Sequence, residues 1–282
     1  MSPIHHRQKP CVLTIAGSDS GGGAGIQADL KTFAAHDVHG LSALAAVTAQ
    51  NTRAVTSVHA VPIRELERQI DAVFDDFPIT VVKIGMLGTA AAVRCVARAI
   101  KARRPALVVL DPVMISTSGA TLLPPAAVRA LREDLLPLAT LVTPNLPEAR
   151  ALTGVRVAGP AGLEPAARAL REMTNAAALL KGGHLTRGPI VDLLLDDAGV
   201  MRMTHERLRV VAHGTGCTLA SAIAARLSRG DSLRVAVRGA IRYVAGALRH
   251  GYRPGRGRLV VLDHFWDSAL NGRHRSRGGP HG

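Results

Sequence analysis

Short apolar runs alternate with segments of helical periodicity along most of this chain, starting with the run at 11–16. Between the runs, apolar residues recur at intervals of three and four, which is typical of amphipathic helices. The runs predict strands at 11–16, 41–47, 55–61, 81–84, 106–110, 140–142 and 176–180, and a hairpin at 190–195 and 200–204. The periodic segments predict helices at 26–35, 63–74, 89–102, 125–135, from 147 onward, 165–173, 217–227 and 233–250. Apolar strands that alternate with helices predict an α/β fold, in which helices cover both faces of a mostly parallel sheet.

The composition is typical of a globular domain. Of the 282 residues, 47% are hydrophobic and 20% are charged, and no apolar run reaches the roughly 18 residues of a membrane span. The three cysteines form no C-x-x-C pair, and the first ten residues lack the apolar core of a signal peptide. We therefore expect a cytoplasmic protein with a single domain over 11–268, and flexible tails at 1–10 and 271–282.

The net charge of +14 raises a different class of function, a nucleic-acid-binding or regulatory protein. Aromatic residues make up only 2% of the chain, which leaves few rings to stack on bases, and no nucleic-acid-binding motif is present. A basic surface that attracts anionic small molecules accounts for the same charge. We therefore expect neither a nucleic-acid partner nor a membrane partner.

The segment His213–Cys217, HGTGC, directly precedes a predicted helix. Its glycines let the backbone approach a ligand closely, and free N–H groups at a helix start favour anions. The amides of Gly214, Gly216 and Cys217 therefore predict a site that stabilises a transferring phosphoryl group. Cys217 lies in the first turn, where the pKa of a thiol is expected to fall. The alternative is a glycine-rich loop followed by a structural cysteine.

Polar residues follow two further predicted strands. Lys181 comes directly after 176–180, where it can approach phosphates as a point charge or belong to a plain surface turn. Asn145 and Glu148 open a helix, where they offer oxygen ligands suited to Mg²⁺ or serve only as helix caps. The chain lacks the spacing of a P-loop.

Residues 17–29, GSDSGGGAGIQAD, form a glycine-rich segment that fails the G-x-G-x-x-G register because position 26 is Ile. A plain turn is the alternative. Gln50 follows a predicted strand, and its amide can bind a ring nitrogen beside an amino group or simply cap a loop. In parallel α/β sheets, ligands bind beyond the carboxyl ends of the strands. We therefore expect these residues to share one rim with Asp111 and the polar groups described above.

Seven segments occur in the order found in one known family. They are AGSDSGGGAGIQADLKTF, AVTAQNT, KIGML, DPVMISTSG, TPNLPEA, KGGH and HGTGCTLASAIAA. Over about 12–262 the chain resembles the hydroxymethylpyrimidine (phosphate) kinases, which have a ribokinase-like three-layer α/β/α fold. The resemblance implies ATP-dependent phosphorylation of 4-amino-5-hydroxymethyl-2-methylpyrimidine to its monophosphate and then its diphosphate, for thiamine biosynthesis. It also implies a homodimer.

The resemblance further implies a role for each residue at a matching position. The residues implied to bind the pyrimidine are Gly17, Asp19, Gln50, Met86 and Val113. The residues implied to bind ATP or its phosphates are Lys181, Thr215, Asn145, Gly214 and Gly216, while Asp111 and Glu148 are implied to serve Mg²⁺ together with Asn145. Cys217 occupies the position at which sugar kinases of this fold carry an aspartate base. One departure is the segment RLRVVA before HGTGC, which is less polar than is usual in the family.

One site of this kind can serve both transfers. A hydroxymethyl group must lose its proton, so the first transfer can use a base such as Cys217, whereas a phosphate acceptor is already anionic. The nearest rival is a pyridoxal or pyridoxine kinase, which shares the fold and the chemistry. Gln50 and Met86 favour the pyrimidine by resemblance alone.

Overall fold

The computed structural model describes residues 8–116, 119–185, 188–208 and 210–267. The strands are β1 (Cys11–Asp19), β2 (His39–Gln50), β3 (Val55–Ala60), β4 (Ile79–Ile84), β5 (Leu107–Leu110), β6 (Leu141–Val142), β7 (Ala177–Leu180), β8 (Ile190–Asp196), β9 (Gly199–His205), β10 (Ala212–His213) and β11 (Val260–Val261). The helices are α1 (Gly25–Ala35), α2 (Ile63–Asp76), α3 (Ala90–Arg103), α4 (Pro125–Ala130), α5 (Leu146–Thr153), α6 (Leu163–Thr174), α7 (Thr215–Ser228) and α8 (Leu233–Arg249).

Nine strands form the central sheet, in the order β3-β2-β1-β4-β5-β6-β7-β8-β9. The strands from β2 to β7 in this order pair in parallel, while β3, β8 and β9 are antiparallel at the two edges. One face of the sheet packs against α2 to α6, and the other packs against α1, α7 and α8. The predicted three-layer α/β/α architecture with a mostly parallel sheet is confirmed.

The first two strands are longer than the apolar pattern predicts. β1 continues past Ala16 because a register shift there lets it pair with β2 up to Asp19, opposite Thr48. β2 continues to Gln50 because β3 pairs with it in an antiparallel ladder. Backbone pairing therefore extends both strands over polar residues at their ends. Gly17, which was predicted in a turn, belongs to a strand.

Other differences lie at short elements. The predicted helix at 125–135 is α-helical only to Ala130, and continues as a π-helical turn at Leu131–Leu135. The two-residue strands β10 and β11 pair in parallel beside α7 and were not predicted, because so short a pair leaves no periodicity to detect. Residues 1–7 and 271–282 of the predicted tails lie outside the described residues, and the domain bounds stay a prediction.

No helix in the described part of the chain has both the length and the apolar character needed to cross a bilayer. The parallel strands instead direct their carboxyl ends to one edge of the sheet, and α7 begins at that edge. This edge holds the candidate site.

Candidate active site

One cavity of about 760 Å³ lies at the carboxyl edge of the parallel strands. The sheet topology brings all the candidate residues from the sequence to its lining. They are Gly17, Asp19, Gln50, Met86, Asp111, Val113, Asn145, Glu148, Lys181, Gly214, Thr215, Gly216 and Cys217.

The start of α7 is fixed by close backbone contacts. Gly214 caps the helix with a φ of 84°, and a Cβ at this position would lie 1.9 Å from the carbonyl oxygen of Gly23, so only glycine fits. The N–H groups of the first helical turn have no acceptor within the helix. A Cβ on Gly216 would lie 3.2 Å from Nζ of Lys181 and 3.6 Å from Oδ2 of Asp111. The helix start therefore lies directly against a cation and a carboxylate.

Lys181 and Asp111 form a partly buried ion pair in this part of the cavity. Nζ of Lys181 donates to Oδ1 of Asp111 at 2.8 Å and lies 4.0 Å from Oε2 of Glu148. Burial opposes the charge of Lys181, but the two carboxylates outweigh it and raise the pKa of the lysine. Oδ1 of Asp111 also accepts from Thr143 at 3.1 Å, whereas Oδ2 is buried without a hydrogen-bond partner among the described residues.

Asn145 and Glu148 form a capping box at the start of α5. Oδ1 of Asn145 accepts from the Glu148 amide at 2.9 Å, and Oε2 of Glu148 accepts from the Asn145 amide at 2.8 Å. Asn145 and Glu148 therefore do cap this helix, which was one of the two roles that the sequence allowed. Burial, with the nearby charge of Asp111, raises the pKa of Glu148 to about 7, although Lys181 acts in the opposite direction. A carboxylate oxygen has two lone pairs, so capping does not exclude a further ligand.

Asp19 binds the glycine-rich turn that follows it. Oδ1 accepts from the amide of Gly21 at 2.8 Å, and Oδ2 accepts from the amides of Gly23 at 3.0 Å and Ala24 at 2.8 Å. Nε2 of His213 lies 3.0 Å from the same Oδ2. Burial opposes ionisation of Asp19, but these hydrogen bonds outweigh it and hold its pKa below the usual range. The carboxylate thus ties the turn after β1 to the segment before α7.

His213 extends this connection to Gln50. Its Nε2 lies 2.7 Å from Nε2 of Gln50, at the end of β2. The HGTGC segment therefore contacts Gln50 on one side and lies against Lys181 on the other. The sequence indicates His213 only as part of the HGTGC motif. Its contacts with Asp19 and Gln50 were not predicted.

The expected lowering of the Cys217 pKa is wrong. Burial raises the pKa of this thiol to about 11, with further increases from Asp29 and Asp111, although Lys83 acts in the opposite direction. A backbone N–H from Gly25 also favours the thiolate, but desolvation is larger. The position in a first helical turn therefore does not decide the charge of Cys217, which is a protonated thiol at neutral pH.

A buried ion pair beneath the cavity, between Lys83 of β4 and Asp29 of α1, was not predicted from the sequence. Nζ of Lys83 lies 2.8 Å from Oδ2 of Asp29 and 3.0 Å from Oδ1, and both side chains are 0% exposed. Asp29 also accepts from Thr14 of β1 and Ser221 of α7, each at 2.6 Å. Asp29 and Lys83 stand within motifs of the family resemblance, but no spacing rule indicates that they meet.

Comparisons with known proteins show which family this chain is similar to. The family model for phosphomethylpyrimidine kinase matches residues 19–261. A hydroxymethylpyrimidine/phosphomethylpyrimidine kinase of Streptomyces coelicolor is 48% identical over 258 residues, which cover 91% of this chain and 95% of the relative. The thiamine biosynthesis bifunctional protein ThiED of Geobacter sulfurreducens is 50% identical over 247 residues, covering 87% of this chain but only 50% of the relative.

Among solved structures, the pyridoxal kinase of Staphylococcus aureus in complex with AMP-PCP and pyridoxal superposes with a TM-score of 0.85 at 32% identity. The match covers 94% of this chain and 96% of that one. Fold and site together thus define a small-molecule kinase with the ribokinase-like α/β fold. Within that class, the chain belongs to the phosphomethylpyrimidine kinase family.

The buried Lys83–Asp29 pair generates a prediction about stability. Lys83→Met and Asp29→Asn should each lower the free energy of unfolding by about 3–5 kcal/mol, because each leaves one buried charge without its partner. The double variant should lose less than the sum of the two single losses. Urea denaturation followed by circular dichroism measures all three values.

The exposed pair of Arg98 and Glu67 provides the matched control, with side chains 63% and 44% exposed. The corresponding changes there, Arg98→Met and Glu67→Gln, should cost less than about 1 kcal/mol each. Strictly additive losses for Lys83 and Asp29, or losses as small as those of the control, would show that the buried charges do not depend on each other.

Proposed function

We propose that this protein transfers the γ-phosphoryl group of ATP to 4-amino-5-hydroxymethyl-2-methylpyrimidine, and then transfers a second one to the resulting monophosphate. Family membership and the names of the relatives support the proposal. The observation that carries it is the start of α7, where free N–H groups lie against Lys181 and Asp111. N–H groups at a helix start and a nearby lysine stabilise the negative charge that develops on a transferring phosphoryl group.

We assign the acceptor ring to the end of the cavity that contains Gly17, Gln50, Met86 and Val113. A Cβ on Gly17 would lie 2.5 Å from Cε of Met86, so the methionine packs directly against the backbone here and would have to shift to admit a side chain. Met86 and Val113 offer apolar contacts to the ring faces, and the Gln50 amide can pair with a ring nitrogen and its neighbouring amino group. Asp19 acts through the turn that it holds, because its oxygens already accept from the protein.

ATP belongs at the other end of the cavity, with its phosphates between Lys181 and the amides of Gly214, Thr215 and Gly216. The donor set nearby fits Mg²⁺. Oδ2 of Asp111 is buried without a partner among the described residues, and Mg²⁺ typically takes one or two carboxylates together with phosphate oxygens and waters. Asp111 and Glu148 would hold the ion, which neutralises phosphate charge when bound.

This arrangement suits both transfers. In the first, the acceptor hydroxyl oxygen bonds to the γ-phosphorus, the bond to the leaving ADP oxygen breaks and the hydroxyl proton passes to a base, for which the thiolate form of Cys217 is the candidate. In the second, the acceptor is an anionic phosphate oxygen that has no such proton to lose. Positioning and charge stabilisation supply most of the catalysis in both cases. Only the thiolate form of Cys217, a small fraction at neutral pH because burial raises the pKa of the thiol to about 11, can accept that proton, and only the first transfer needs it.

Purified protein incubated with ATP, Mg²⁺ and the hydroxymethylpyrimidine tests the proposed function directly. We expect the monophosphate to appear first and the diphosphate to follow, with one ADP released per transfer, as resolved by chromatography over time. Pyridoxal serves as the competing acceptor in a parallel reaction. Turnover of pyridoxal with no turnover of the pyrimidine would replace the proposal with the rival kinase, whose fold is shared by the S. aureus structure.

Cys217→Ala should reduce the first transfer more than the second, because only the alcohol needs a proton acceptor. With a thiol pKa of about 11, the thiolate fraction rises with pH throughout the neutral range. The rate of the first transfer should therefore rise from pH 7 to 9 in the unmodified protein and lose this dependence in the variant. Rapid-quench assays on each acceptor separate the two rates, and equal losses in both would refute a base role for Cys217.

A homodimer also stays a proposal, supported by the family resemblance. A cytoplasmic location stays a proposal too, supported by three cysteines that form no C-x-x-C pair.

A further inference from the structure

A loop at 252–261 lies beside the acceptor end of the cavity, because its base pairs with the segment that contains His213. Tyr252 and Val261 exchange backbone hydrogen bonds of 3.0 and 2.8 Å, which close the base of the loop. Val261 also pairs with His213 through the β10–β11 ladder. The base of the loop therefore lies beside the histidine that contacts Asp19 and Gln50.

The tip of this loop packs on the turn between β2 and β3. The amide of Gly257 donates to Oγ1 of Thr52 at 3.0 Å. A Cβ on Gly255 would lie 2.5 Å from Oγ1 of Thr52, and a Cβ on Gly257 would lie 2.1 Å from its carbonyl oxygen. The glycines on both sides of Arg256 thus let the loop pack closely on the turn at 51–54. This turn contains Arg53 and directly follows Gln50.

This loop and the turn it packs on carry four exposed arginines, which we call the basic rim: Arg53, Arg253, Arg256 and Arg258. Neither 51–54 nor 252–262 contains an acidic residue. None of the four forms an ion pair with any residue in the described ranges, whereas Arg98, Arg103, Arg171 and Arg234 are all paired. Asp19, a carboxylate at this end of the cavity, already accepts from backbone amides and lies 3.0 Å from Nε2 of His213.

We propose that the basic rim captures the anionic acceptor, a phosphate monoester of the heterocyclic alcohol, and guides it into the cavity. This inference rests on the proposed function and adds a surface that distinguishes its two acceptors. Uncompensated positive charge beside a cavity mouth raises the association rate of an anion and leaves a neutral molecule unaffected. The monophosphate is charged and the alcohol is not, so one protein presents the two acceptors with different association rates.

The test is a variant that removes rim charge from the exposed loop, Arg253→Gln/Arg256→Gln/Arg258→Gln, with Arg53→Gln added in a second variant. Initial rates are measured on each acceptor at saturating ATP and Mg²⁺, from about 20 mM to about 300 mM salt. We expect kcat/KM for the monophosphate to fall about tenfold at low salt and to lose most of its salt dependence. We expect kcat on both acceptors, and kcat/KM for the alcohol, to stay within about twofold, because long-range charge changes the association rate rather than the transfer step.

A matched control removes the same charge elsewhere, with Arg104→Gln/Arg129→Gln/Arg132→Gln. These exposed arginines lie in the connections that lead to the amino ends of β5 and β6, away from the cavity. The control should leave both values of kcat/KM unchanged within about twofold, because these charges lie away from the cavity and their field at its mouth is weaker and more strongly screened than that of the basic rim.

Three outcomes would overturn the inference. They are an unchanged kcat/KM for the monophosphate in the rim variants, an equal loss on the neutral alcohol, and an equal loss in the control. Failure of the unmodified protein to phosphorylate either pyrimidine is a separate result, which would overturn the proposed function and the inference together.

Discussion

The buried ion pair between Lys83 and Asp29 is the interaction on which the position of the site depends. It joins β4 to α1, and the same carboxylate accepts from Ser221 of α7. Ser221 lies one helical turn after Cys217, so this contact also orients the start of α7. Desolvation largely offsets the attraction within a buried pair, whereas either charge alone would be costly. We infer that the pair contributes alignment of the helix more than net stability.

Two further contacts hold the start of α7 against the turn after β1. Gly214 packs on the carbonyl of Gly23, and His213 lies within hydrogen-bond distance of Asp19. The free amides of α7 therefore lie on one rigid unit with the glycine-rich turn, and Lys181 approaches from the opposite side. Preorganised donors of this kind stabilise developing charge without reorganising during the reaction.

The alternation of apolar strands with helices was sufficient to predict the layers of the fold. The polar residues that follow the strands, together with the family motifs, predicted part of the cavity lining. Contacts between segments that are distant along the chain could not be predicted from the sequence. Lys83 and Asp29 are 54 positions apart, and only the packing of α1 on the sheet brings them together. The pKa of Cys217 was misjudged for a similar reason, since burial outweighs its place in a helix start and burial depends on neighbours that the local sequence does not specify.

The most direct measurement is a crystal structure of the protein with ADP, Mg²⁺, aluminium fluoride and the hydroxymethylpyrimidine. The central claim is that the amides at the start of α7, which the buried Lys83–Asp29 pair holds in place, bind the phosphoryl group while it is being transferred. It predicts a planar aluminium fluoride group with fluorine atoms within about 3.2 Å of the amide nitrogens of 214–217. The acceptor hydroxymethyl group should lie between this group and Gln50, next to Cys217. A fluoride bound away from α7, with those amides facing only solvent, would contradict it.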